Sequence, residues 1–235
     1  MKKRIWELDA LRGLCLLGVI AVHLIFDLTV LYRIVDWHAP DWFEFLQTWG
    51  GTIFLVLSGV CVTLGSRSVR RGLIVFGAGL LITAVTYGMY YLGFTGKSIV
   101  IYFGVLHCLG ICMLLWWVFR KLSPRMLAIL GILFVILGLA LADLRVDHQW
   151  LFPLGLRYPD FVTGDYFPIF PHLGFFLLGA FIGKTAYARK QTLLPKVNDR
   201  VFPLRALQFI GRHSLEIYLL HQPILAGICY LLTLR

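Results

Sequence analysis

Apolar residues in this chain come in long blocks, and the polar residues collect in the gaps between them. The blocks cover residues 11–31, 49–64, 72–92, 99–119, 126–141, 169–186 and 215–232. Each approaches the roughly 20 residues an α-helix needs to cross a hydrocarbon core of about 30 Å. The pattern predicts an all-α, polytopic membrane protein with about seven transmembrane helices, residues 1–235 forming a single integral membrane domain. The second and sixth blocks are short, and aromatic residues at 42–46 and 166–167 are placed to lengthen them.

Composition agrees with the blocks. Of 235 residues 59% are apolar and only 14% charged, against about 25% charged in a soluble domain. The cations set an orientation. All but five of the 22 Lys and Arg fall before helix 1 or at its start, after helices 2 and 4, or between helices 6 and 7; the five are Arg33, Lys97, Arg145, Arg157 and Arg235. The excess marks the cytoplasmic side, so the N-terminus is expected inside and the C-terminus outside. This asymmetry accounts for most of the formal charge of +10, and a nucleic-acid partner is not expected. The first apolar run is too long for a signal peptide and lacks a cleavage site, so helix 1 is expected to stay.

Against this background the ionisable residues inside the spans stand out. In the first, Asp9, Arg12, His23 and Asp27 share one stripe: at 100° per residue, Arg12 and His23 project within about 20° of each other, and both aspartates within roughly 60° of Arg12. A charge facing lipid costs at least about 2.5 kcal/mol, so the stripe is expected to face other helices or a wet cavity. His23 and Asp27, one turn apart, have the spacing at which a carboxylate orients an imidazole. In the last span Ser214, Tyr218 and His221 share a face, and Pro223 frees the Leu219 carbonyl near His221. Helix 4, read from Ile99, carries His107 about 12 Å down its axis. The three histidines are expected to converge on one cavity, with His38, His172 and Tyr166 around its outer mouth. For each histidine the structural alternative is a neutral ring bonded to nearby backbone.

Other features are quieter. Cys15, Cys61, Cys108, Cys112 and Cys229 all lie in spans, so neither a disulfide framework nor a metal site is expected. Residues 142–168 form the longest outside connection and read as an aromatic cap over the outer mouth. Residues 184–212 read as a basic cytoplasmic segment, explained by topology without an anion site.

Four segments together resemble one family. They are Trp6 to Gly13 continuing to His23 and Asp27, Phe103-Gly104-Val105-Leu106-His107, Asp165-Tyr166-Phe167-Pro168-Ile169-Phe170-Pro171, and Gly211 to Pro223 with its Ser214-Leu215-Glu216-Ile217-Tyr218-Leu219-Leu220-His221 core. In order, they are similar to the catalytic part of heparan-alpha-glucosaminide N-acetyltransferase, within a broader group of transmembrane acyltransferases. The resemblance implies transfer of an acetyl group from cytoplasmic acetyl-CoA to an amine or hydroxyl of an extracytoplasmic sugar, glycan or glycolipid, with a histidine involved. His38-Ala39-Pro40-Asp41-Trp42 looks like the family's histidine setting, so that role is carried to His38.

The combined expectation is a cell-membrane acyltransferase in which His23, Asp27, His38 and His221 do the chemistry. Arg12, His107, His213, Ser214 and Tyr218 would meet the donor. Membrane lipids and the acceptor are its partners, and a homodimer is allowed. Two other classes fit the same residues: a small proton-coupled carrier, since carboxylates and histidines in spans also build proton relays, and a noncatalytic assembly subunit. No inverted repeat favours the carrier.

Overall fold

The computed structural model describes residues 4–37 and 40–234. Among these, eight α-helices form and no strand does: α1 (Trp6–Phe26), α2 (Asp41–Leu64), α3 (Ser68–Tyr91), α4 (Val105–Phe119), α5 (Pro124–Leu141), α6 (Ile169–Thr185), α7 (Phe202–Arg212) and α8 (Ser214–Thr233). Five are long and apolar enough to cross a membrane: α1 with its continuation to Leu31, α2, α3, α5 and α8. The shorter α4 and α6 are also predominantly apolar. Leu73, Leu80 and Leu81 on α3, and Ile129, Ile132 and Ile136 on α5, remain exposed. Acyl chains rather than water suit such surfaces.

The chain divides into two compact units. One holds residues 1–54 and 190–235, the other residues 55–189, and α2 runs from the first into the second.

In the first unit, α1 packs against α7 and α8. The helix begins at Trp6, five residues before its apolar block, because its two acidic residues find partners when buried. Glu7 accepts from the Thr192 hydroxyl and the Leu193 amide, each at 2.8 Å. Asp9 pairs with Arg212 at 3.2 Å and Arg4 at 3.7 Å. Two glycines let α1 and α7 meet backbone to backbone: a Cβ at Gly13 would strike the Leu207 carbonyl, and one at Gly211 the Asp9 carbonyl. Beyond Phe26 the helix widens into one π-helical turn, Asp27–Leu31.

α7 lies inside the stretch read from sequence as a basic loop. Pro203 opens its first turn, where a missing amide donor costs nothing. Gln208 and Gly211 form its buried edge, while Phe202, Arg205 and Phe209 stay exposed.

In the second unit, α6 is the central element, with Phe176, Leu177 and Ala180 fully buried. It packs on α5, while α3 packs on α4. Residues 163–167 form a strap across the chain entering α4: Gly164 N–H donates to Val100 O and Phe167 N–H to Phe103 O, both at 3.0 Å. The Thr163 hydroxyl donates to Val100 O at 2.8 Å. These bonds hold residues 100–104 out of the helix, so α4 starts at Val105 rather than Ile99. His107 therefore lies in its first turn rather than two turns in, which corrects its place along the helix.

Candidate active site in the first unit

The first unit carries two polar clusters on α1, at Glu7 and Asp9 and at His23 and Asp27. The cluster at Asp9 is an ion-paired joint. Arg212 also donates from Nη2 to Gln208 Oε1 at 2.9 Å, and Gln208 in turn donates to the Asp199 carbonyl at 2.9 Å. Buried charges need such partners. Asp9 makes no ion pair with Arg12 among the described residues; it is taken by Arg4 and Arg212. Arg12, half-buried, has no ion pair or hydrogen bond among the described residues. His213 sits at the joint of α7 and α8, its Nδ1–H donating to Phe209 O at 3.0 Å, and half-buried Ser214 opens α8 beside it.

The second cluster is formed where α1 meets α8. Asp27 is completely buried, and Gln222 Nε2 donates to both its carboxylate oxygens, at 2.9 and 3.0 Å. The His23 and His221 rings lie 5.0 Å apart between centroids. The carboxylate–imidazole bond expected from the one-turn spacing of His23 and Asp27 does not form; Asp27 is bound to Gln222 instead. Gln222 is therefore a residue that sequence reading missed. Its signal was an amide beside His221 in an otherwise apolar stretch.

His221 is fixed by its own helix. Its Nδ1–H donates to the Tyr218 carbonyl, one residue before the Leu219 carbonyl that Pro223 leaves free. A ring that donates from Nδ1 carries its lone pair on Nε2. Among the described residues that Nε2 is buried and without a hydrogen-bond partner, as is Gln222 Oε1. The Tyr218 ring lies 5.1 Å from the imidazole. The result is an oriented, unoccupied imidazole lone pair beside a second imidazole. Such a group can accept a proton or attack a carbonyl.

His38 is outside the described residues. His107 belongs to the second unit, and both its nitrogens are engaged: Gly104 N–H donates to Nδ1 at 3.2 Å, and Nε2 lies 3.2 Å from the Thr83 hydroxyl. That hydroxyl donates to Ile101 O at 2.7 Å, so it accepts from the ring. His107 thus caps the first turn of α4. His172, also in the second unit, donates from Nδ1 to Pro168 O at 2.7 Å. Asp165 in the strap accepts from Val105 N–H at 3.0 Å, and burial pushes its carboxyl up to about 6 despite that bond.

An all-helical membrane chain with an oriented imidazole, a second imidazole and a buried carboxylate–amide pair in one unit defines a membrane protein equipped for proton or acyl transfer. Comparison of families narrows the class. The model described as heparan-alpha-glucosaminide N-acetyltransferase, catalytic, matches residues 4–223, and the chain belongs to this family. The match supports a transmembrane acetyltransferase-like function. Neither the search among curated proteins nor that among solved structures returned a match.

Proposed function

We propose that this protein is a multi-pass enzyme of the cell membrane that moves an acetyl group from cytoplasmic acetyl-CoA to an amine or hydroxyl of an extracytoplasmic sugar or glycoconjugate. The observation that carries the reading is His221, with Nδ1 tied to a backbone carbonyl and Nε2 buried and unpartnered among the described residues, beside His23. Nε2 takes the proton of the acceptor as its nitrogen or oxygen attacks the thioester carbonyl. The new C–N or C–O bond forms, the C–S bond breaks, and the imidazolium returns the proton to the leaving thiolate. The Asp27–Gln222 bond ties α8 to α1 at the residue next to His221, so it holds the imidazole in place from its neighbour.

The donor enters from the side of the Asp9 cluster. Arg12 makes no ion pair there among the described residues, and it lies 11 residues before His23, about 16 Å along a helix. That span is comparable to a pantetheine arm, which suits Arg12 to a phosphate with the thioester at His23. His213 and Ser214 supply further polar groups at the start of α8.

Sided proteoliposomes test the reading. Isotope-labelled acetyl-CoA enclosed on the N-terminal side is expected to label an amino sugar supplied on the other. Carriage of the sugar without label would make the protein a carrier, and neither event would make it noncatalytic.

A further inference from the structure

Two arginines of the second unit are brought together at the C-terminal end of α5, and neither has an ion-pair partner among the described residues. Arg145 follows that end, and its Nη1 donates to the carbonyls of Ala142 and Leu144, both at 3.2 Å. Arg157 comes from the far side of the same loop, and its Nη2 donates to the Ala142 carbonyl at 2.7 Å. The two guanidiniums thus share one acceptor, which puts those nitrogens no more than about 6 Å apart. The backbone enforces the approach: residues 145 and 157 are bridged in parallel, with Val146 N–H donating to Arg157 O at 3.0 Å.

Helix capping accounts for part of this arrangement. Aligned peptide dipoles place about half a negative charge at a helix C-terminus, a quarter of what two guanidiniums carry. Asp143 and Asp147 flank Arg145 in sequence, yet neither pairs with it; the ion pairs among the described residues are those of Asp9. Each guanidinium has five N–H donors, and here each uses one nitrogen on carbonyls. The remaining nitrogens make no hydrogen bond among the described residues. Both arginines also act on the Tyr166 phenol: burial pushes it up to about 12, while Arg157 and Arg145 oppose that rise.

We propose that Arg145 and Arg157 form a binding site for an oxyanion, a phosphate, sulfate or carboxylate group, held bidentately by the free edges of two guanidiniums. The site is built from residues of the second unit, none of them in the His221 cluster, and does not depend on the transfer reading. On the proposed topology it lies on the extracytoplasmic side, where its ligand is an anionic group of a saccharide or a lipid headgroup.

Arginine footprinting on the unmodified protein tests it. The full chain in nanodiscs of neutral lipid is treated with phenylglyoxal, with inorganic phosphate or with chloride at matched ionic strength, and modification is read at each arginine by mass spectrometry. Phosphate is expected to slow modification of Arg145 and Arg157 at least threefold relative to chloride, while the exposed Arg70 and Arg189 change less than 1.5-fold. A second arm replaces phosphate with anionic lipid in the nanodisc. Protection there assigns the oxyanion to a headgroup; protection by phosphate alone assigns it to a soluble ligand. Equal rates at Arg145 and Arg157 in all conditions would overturn the site. Arg145→Gln adds a check: phosphate protection at Arg157 is expected to disappear, and its persistence would contradict a shared site.

Discussion

Gln222 Nε2 donates to both oxygens of the fully buried Asp27, so the joint between α1 and α8 rests on a charge-assisted bond next to His221. Its two ends are not equivalent. Asp27→Asn leaves an amide oxygen that Gln222 can still reach, whereas Gln222→Ala strands a carboxylate in an apolar setting. Stranding a buried charged group costs more than the roughly 1–3 kcal/mol for a neutral one. Thermal unfolding in one detergent is expected to rank Gln222→Ala as the less stable variant. The opposite order would mean that Asp27 is neutral or hydrated.

The crossing of α1 and α7 depends on glycine at two places. Gly13→Ala and Gly211→Ala each put a methyl group into a facing backbone carbonyl, and relief by backbone shift costs typically about 1–3 kcal/mol. Gly18→Ala meets nothing within 4 Å. There the added helix propensity is expected to be neutral or to stabilise by up to about 1 kcal/mol. Melting temperatures of the three variants check the contrast.

Arg12 separates binding from chemistry. If it holds a donor phosphate, Arg12→Ala removes a charge-assisted bond worth about 1.5–3 kcal/mol, and acetyl-CoA affinity falls about 10- to 150-fold. Arg205→Ala, an exposed cation on α7, is expected to change affinity less than threefold. Calorimetric titration with acetyl-CoA measures both.

Asp165 makes the strap sensitive to pH. Its carboxyl is raised from 3.8 to about 6 in the folded chain, so the folded state holds a proton that the unfolded state gives up. Stability from this group is complete below about pH 4 and is lost as the pH rises through about 6. Asp165→Asn keeps an acceptor for Val105 N–H and removes the titration. Hydrogen exchange at residues 103–105 is expected to quicken between pH 4 and 6 in the native chain, after correction for intrinsic rates, and not in the variant.

Much of the helical framework was legible because long apolar runs have few folded alternatives. Its margins were less so. α1 begins at Trp6 since Glu7 and Asp9 find partners in residues 192–212, contacts that no local pattern announces. α4 begins late because the strap claims the backbone before it. α7 was hidden by its arginines, which topology already explained; Pro203 and the Leu204, Leu207 and Gly211 spacing were its traces. Within the candidate site, the stripe on α1 and the face of α8 were readable from helical periodicity. Which side chains would bond across the two helices was not, so Gln222 rather than His23 proved to be the partner of Asp27. The neighbours of His107 were equally hidden, and its satisfied ring makes it a capping residue of the second unit.

Turnover by His221→Ala is the most direct test of the transfer site. With labelled acetyl-CoA and an amino-sugar acceptor, the variant is expected to lose about 10²- to 10⁴-fold in turnover, the range for a missing general base, while its affinity for acetyl-CoA stays within threefold of the native protein. Normal turnover in that variant, with activity lost instead in His38→Ala, would place the chemistry outside the α1–α8 cluster and contradict the role given to His221.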